Sequence, residues 1–305
     1  MNIEPLLAPN ARRITVPKAV AWGSIAGLMA ILGAAIYVTN GPLNGWLGFY
    51  VWKRTAAEAH GGRQYVNTKD ASIYYETYGA GPPVLVLHGG LGSLEDMSSQ
   101  IRALAKSHFV IAVDSRGHGR STDSNAPLSY SLMSDDMTKV LDDLGVDRVD
   151  VVGWSDGGII GLDLAIRHPE RIRRLVAIGA NYAPDGIVEG FFSNSKIPRA
   201  PLGYRLLAPE PAHWPKLYSE VRTMWQTQPN YTLNDLGQIK APTLIMAGEF
   251  DVIKREHTDS LAKAISGSKE VIITGATHTA PVNKSEIVSR DILNFLDEPA
   301  TVEVK

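Results

Sequence analysis

A serine stands between glycines in Gly153-Trp154-Ser155-Asp156-Gly157-Gly158, after a run of valines and before an amphipathic segment. That is the composition of a nucleophile elbow, a strained turn from strand to helix that lifts a hydroxyl clear of the chain. The positions two before and two after the serine must lack side chains for the turn to close. A helix beginning here also directs its unsatisfied amides and positive dipole end toward the hydroxyl, which favours negative charge there. The alternative is a glycine-rich helix entry without chemistry.

A neutral serine is a weak nucleophile and needs a base. In a strand–turn–helix setting the partners should follow in the order acid, then histidine. Asp251 in Gly248-Glu249-Phe250-Asp251 and His278 in Gly275-Ala276-Thr277-His278 supply that order. Each follows a predicted strand, so both are expected at the sheet edge that presents the serine. Asp251 would hold the imidazole tautomer, and His278 would accept the serine proton and return it to the leaving group. Glu249 is the alternative acid. His257 has the right order but sits where a helix should begin. His168 ends a helix, and His60, His108, His118 and His213 fall in polar loops or in an insertion, where a lone histidine is normally solvated.

The fourth element is His88-Gly89-Gly90-Leu91-Gly92, directly after another apolar run. Small residues there let the backbone approach a tetrahedral oxygen. The amides of Gly90, or of Leu91, and of Asp156 are the expected oxyanion hole, in which one donor is worth about 2.7–4 kcal/mol of transition-state stabilisation. Trp154, Asp156 and Leu91 are expected to touch substrate. A dinucleotide loop is the rival reading, but its third glycine would fall at Glu95, where a carboxylate is badly placed beside a pyrophosphate.

Short apolar runs rich in β-branched residues alternate with amphipathic segments through the rest of the chain, which predicts an α/β domain. Residues 65–66 and 73–78 read as an antiparallel hairpin. Runs at 84–87, 109–113, 149–152, 175–178, 243–246 and 271–273 read as strands covered on both faces, as in a mostly parallel sheet. Helices are predicted over 97–106, 132–144, 157–167, 258–265 and 284–295. About sixty residues separate the strands at 175–178 and 243–246, too many for a simple crossover. That interval holds Phe191, Trp214 and Trp225 among other aromatics and reads as a mostly helical cap over the carboxyl edge of the sheet. The expected organisation is a tail over 1–18, a membrane helix over 19–38, a linker over 39–63, a core over 64–180 and 241–297 interrupted by the cap over 181–240, and a tail over 298–305.

The membrane helix is expected because residues 19–38 are twenty consecutive residues without a charge, a length that crosses a hydrocarbon core of roughly 30 Å as a helix. Arg12, Arg13 and Lys18 precede the run, while Lys53 and Arg54 follow Trp46, Phe49, Tyr50 and Trp52, which read as an interfacial aromatic belt. The bias predicts a cytoplasmic amino terminus and an extracytoplasmic catalytic domain, with a cleaved signal peptide as the alternative. In 305 residues, 30 Lys and Arg oppose 32 Asp and Glu, with no long basic run, so no nucleic-acid footprint is present. The absence of cysteine excludes disulfides, thiolate nucleophiles and cysteine-ligated metals. No metal or other cofactor is implied, and the expected partners are a small acyl substrate and a membrane.

With these residues assembled, residues 65–296 resemble the α/β-hydrolase fold superfamily. The loop at His88-Gly89-Gly90 and the stretch Asp114-Ser115-Arg116-Gly117-His118-Gly119-Arg120-Ser121 match its pattern beside the elbow. The resemblance implies Ser155 as nucleophile, Asp251 as acid, His278 as base and residues 181–240 as a cap. The elbow is similar to that of biphenyl hydrolase-like serine hydrolases, in which the acidic residue after the nucleophile helps recognise a substrate's α-amino group. Asp156 stands at that position. The expected activity is hydrolysis of a carboxylic ester, thioester, lactone or amide through an acyl-enzyme. Carbon–carbon bond hydrolysis, cofactor-free haloperoxidation and a silent ligand-binding module are the alternatives.

Overall fold

A computed structural model describes residues 42–59 and 61–299, and the account below concerns the described residues from Gly45 onward. The amphipathic runs fold, in chain order, as α1 (Pro42–Thr55), α2 (Ser98–Leu104), α3 (Tyr130–Asp143), α4 (Asp156–Arg167), α5 (Leu202–Leu207), α6 (Trp214–Thr227), α7 (Leu233–Leu236), α8 (Arg255–Ala264), α9 (Ala280–Asn283) and α10 (Ser285–Leu296). The apolar runs form β1 (Arg63–Asn67), β2 (Ser72–Tyr78), β3 (Pro83–Leu87), β4 (Phe109–Val113), β5 (Val149–Trp154), β6 (Ile172–Ile178), β7 (Thr243–Phe250) and β8 (Lys269–Thr277).

These strands make one sheet in the order β1-β2-β4-β3-β5-β6-β7-β8. The β1–β2 and β2–β4 pairings are antiparallel and the remaining pairings are parallel. Successive residues of a strand point to opposite faces, so Leu85 and Leu87 join one core with Ile111, Val151 and the helices α3, α4 and α8. Val84 and Val86 join the other core with Val110, Val152 and the helices α2 and α10. Burial on both faces is why the central strands read as unbroken apolar runs. The chain steps outward from β3 to β4 and then returns past β3 to β5, which opens a crevice between the carboxyl ends of β3 and β5. The elbow serine follows β5, and His88 follows β3.

Residues 181–240 lie between β6 and β7 and carry α5, α6 and α7. Trp214 is buried within this insertion, against Tyr204 at 5.1 Å, with its indole N–H donating to the Pro198 carbonyl at 2.7 Å. The base of the insertion is tied to the loop after β7 by an antiparallel bridge between Ile187 and Ile253 and by the amides of Val188 and Lys254.

Two expectations about the amino-terminal part are corrected. No helix among the described residues is long and apolar enough to cross a membrane, and the apolar run over 19–38 lies outside the described residues. The single-pass localisation with an extracytoplasmic domain is therefore overturned. The predicted linker contains α1, in which Phe49 and Trp52 pack against the protein, while Tyr50 is exposed beneath Arg54. Phe49 is fully buried, stacked on Trp52 at 5.6 Å and tilted against Tyr78 at 5.9 Å. Lys53, its side chain only 8% exposed, places Nζ 3.2 Å from the buried Glu76 carboxylate of β2. The Tyr74 and Tyr78 hydroxyls donate to the same carboxylate. Burial pushes the Glu76 pKa up, but Lys53 and the two hydroxyls outweigh it and leave the group below its ordinary range. A buried carboxylate so paired ties α1 to the sheet.

Candidate active site

The carboxyl edges of β3, β5, β7 and β8 deliver the expected residues to one place. Ser155 sits at the tip of the elbow with φ 54° and ψ −117°, a left-handed conformation that a non-glycine residue adopts only under constraint. Two constraints are visible. Its amide donates to the Ile178 carbonyl of β6 at 2.7 Å, and Gly153 lies so close to α4 that a Cβ there would come within 2.1 Å of the Gly157 oxygen. His278, in the turn after β8, places Nε2 3.0 Å from Ser155 Oγ. Its Nδ1 lies 2.7 Å from Asp251 Oδ1, at the end of β7.

The Asp251 carboxylate is 3% exposed and also accepts the amides of Ile253 at 3.1 Å and Gly248 at 3.2 Å. Burial alone would raise its pKa, but the bond to His278 and these amides outweigh burial and hold it below the ordinary carboxylate value. Glu249, the alternative acid, instead accepts the Gly275 amide at 2.7 Å and so joins the loop of Asp251 to the loop of His278. The indole N–H of Trp154 donates to the His278 carbonyl at 2.8 Å, a second tie between the elbow and the histidine loop.

His88 organises the loop after β3, a role its sequence position did not reveal. Its Nε2 accepts the Ser115 amide at 3.0 Å, which leaves the proton on Nδ1 to be donated to the Gly89 carbonyl at 2.7 Å. Burial drives the His88 pKa down to about 3, so the ring stays neutral. A trans peptide points its carbonyl and the following N–H in opposite directions, so clamping the Gly89 oxygen aims the Gly90 N–H away from His88. Gly90 itself is obligatory, because a Cβ there would meet Asp156 Oδ2 at 2.4 Å and Trp225 Cζ2 at 2.6 Å. Leu91 carries a positive φ of 60°, but its side chain packs against the core and not on the cavity beside Ser155.

Asp156 is buried, and its Oδ1 accepts the Trp225 indole N–H from the cap at 2.8 Å and the Tyr130 hydroxyl at 3.0 Å. Oδ2 is buried without a protein partner. Seven residues along the same helix, Asp163 likewise accepts the Tyr231 hydroxyl at 2.7 Å and the Ser131 hydroxyl at 3.1 Å. Two acids on one face of α4 thus seat two aromatic side chains from the insertion. Burial raises the Asp156 pKa to about 6, against the opposing effect of those hydrogen bonds and of His278. Because the folded state binds the Asp156 proton more tightly than the unfolded chain, this group destabilises the fold as pH rises from about 4 to above 6. Between pH 4.5 and 7.5, wild type should lose about 2 kcal/mol relative to Asp156→Asn. Urea unfolding of both proteins at the two pH values checks this, and parallel curves would refute it.

Several histidines of loops and of a helix entry are buried. His257 is stacked on Tyr182 at 3.8 Å and accepts the Tyr182 amide on Nε2 at 3.1 Å, which anchors the first turn of the insertion. His118 and His108 are also buried, whereas His60 lies outside the described residues. Sequence pattern had no means of finding Tyr130 or Asn181 at this site. Trp225 was visible only as one aromatic among several in the insertion. A cavity of about 250 Å³ adjoins Ser155, His278, Trp154 and Asp156, with Ile187, Phe191, Trp225 and Ile253 among its apolar walls.

A family model described as the alpha/beta hydrolase fold matches residues 82–221. The RutD hydrolase of Azorhizobium caulinodans is 30% identical over 266 residues, covering 79% of this chain and 98% of that one. The serine hydrolase BPHL of Mus musculus is 31% identical over 242 residues, covering 73% and 82%. Among solved structures, Est816, described as an N-acyl homoserine lactone degrading enzyme, is 27% identical with a TM-score of 0.65, covering 76% of this chain and all of that one.

Proposed function

Since this chain belongs to the α/β-hydrolase fold family and is a hydrolase, we propose that it cleaves a carboxylic ester, thioester, lactone or amide with Ser155 as nucleophile, His278 as general base and Asp251 as its orienting acid. The observation that carries this reading is the continuous chain of contacts, 3.0 Å from Ser155 Oγ to His278 Nε2 and 2.7 Å from Nδ1 to Asp251. Asp251, kept anionic by His278 and two amides, holds the proton on Nδ1 and leaves Nε2 free to accept.

Ser155 Oγ attacks the carbonyl carbon as its proton passes to His278 Nε2. The carbonyl oxygen takes up the displaced electron pair and is received by the amides of Gly90 and Asp156. Collapse expels the alcohol, thiol or amine, which leaves with the proton from His278. Water then enters, gives its proton to Nε2 and attacks the acyl-enzyme, and Ser155 recovers its hydrogen as the acid departs. The clamp of His88 on the Gly89 carbonyl supports the Gly90 amide as a preset donor. Trp154 and Asp156 contact substrate. The occupation of Asp156 Oδ1 by Trp225 and Tyr130 leaves only Oδ2 for a substrate donor. A fluorophosphonate probe tests the assignment: wild type should be labelled at Ser155 and Ser155→Ala should not. An unlabelled wild type, or equal labelling of the variant, would overturn it.

A further inference from the structure

The cavity at Ser155 holds about 250 Å³, less than the roughly 300–1,000 Å³ of pockets that take drug-sized ligands. One wall is a cap side chain, Trp225, and three contacts fix it. Its N–H donates to Asp156 Oδ1 at 2.8 Å. Its ring edge presses on the Cα side of Gly90, where a Cβ would come within 2.6 Å of Cζ2. Its ring and that of Phe191 meet edge to face, centroids 6.2 Å apart. Rotating the indole out would strip a buried carboxylate of a hydrogen bond while its other oxygen already lacks a protein partner, so the wall does not yield easily.

The charge of the cavity points the same way. All its lining residues are described, and among them there is no lysine or arginine, while Asp156 is the one carboxylate. The His278 ring is committed to Ser155 and Asp251. An acyl group bearing its own carboxylate would be desolvated beside Asp156 with no cation to receive it.

Building on the serine-hydrolase reading above, we propose that this site selects short acyl groups without negative charge, of about two to four carbons, and that Trp225, pinned to Asp156, is the wall that sets this limit. Asp156→Asn and Trp225 variants separate the two halves of the proposal.

The test compares kcat/KM for the 4-nitrophenyl esters of butyrate, octanoate and monosuccinate. Wild type should prefer butyrate to octanoate by about tenfold or more and to monosuccinate by about a hundredfold. In Trp225→Ala the octanoate-to-butyrate ratio should rise at least about tenfold, and in Trp225→Phe, which keeps bulk but loses the N–H, by less. In Asp156→Asn the monosuccinate-to-butyrate ratio should rise about tenfold. Trp225→Leu supplies the same length comparison if the alanine variant does not fold. Fluorophosphonate labelling of each protein reports separately on the nucleophile. Normal labelling with unchanged ratios would overturn the selectivity and leave the mechanism standing, whereas failure of wild type to label would remove the mechanism itself.

Discussion

Ser155→Ala is expected to lower kcat by about 10⁶-fold, with His278→Ala nearly as severe and the double variant no worse than either alone. In the proposed mechanism the serine and histidine act as one device: without the hydroxyl the imidazole has no proton to accept, and without the imidazole the hydroxyl stays protonated. Their 3.0 Å contact is the physical reason for this coupling. Activity above the uncatalysed rate, by roughly 10³–10⁴-fold, should persist, because binding and the oxyanion donors survive. Unfolding temperature should scarcely move, since alanine at φ 54° meets the same backbone strain as serine. Single-turnover and steady-state rates on 4-nitrophenyl butyrate decide the matter. A double variant whose loss is the product of the two single losses would show that the residues do not work together.

Asp251→Asn should reduce kcat by about 10⁴-fold near neutral pH with little change in KM. The native carboxylate accepts from His278 Nδ1 and from the amides of Ile253 and Gly248. Gly248 donates to Oδ2, whereas Ile253 and His278 share Oδ1, so an asparagine that keeps its oxygen toward Gly248 turns its NH₂ toward Nδ1 and gives up the Ile253 amide. The ring must then carry its proton on Nε2, facing Ser155, and can no longer accept one. The sign of the pH dependence follows from the depressed native pKa of Asp251. Its stabilising contribution is complete above the unfolded carboxylate value of about 3.9 and is lost as pH falls through the lower folded value. The acid therefore stays ionised wherever the histidine can work. Glu249→Gln, by contrast, should cost only a few-fold, since Glu249 holds the Gly275 amide and does not touch the ring. Comparable losses in the two variants, or an Asp251→Asn enzyme within tenfold of wild type, would transfer the orienting role elsewhere.

Much of the architecture was legible because each local rule is written in adjacent residues. The run 84–87 reads as a strand since both sheet faces are covered, and it folds as β3, with alternate residues in the two cores. Helix ends were less exact: the helix predicted from 132 begins at Tyr130, because Ser129 caps it by accepting the Leu132 amide at 3.1 Å. Phe49 and Trp52, before and beside Lys53, were misread. Aromatic residues near cations look alike whether they meet lipid or protein, and only the buried Glu76 opposite Lys53 distinguishes the two.

By itself the sequence determined the elbow, the order of serine, acid and histidine, and the small residues after β3, because steric demands at a strained turn and the order of strand ends depend on near neighbours and on topology. The tertiary structure alone decided what surrounds them. Asp156 meets Tyr130 across 26 positions and Trp225 across 69, and His88 meets Ser115 across 27. Such contacts leave no periodicity in the chain, since a hydrogen bond between distant residues depends on how helices, sheet and insertion are stacked in space. The same stacking sets the volume beside Ser155.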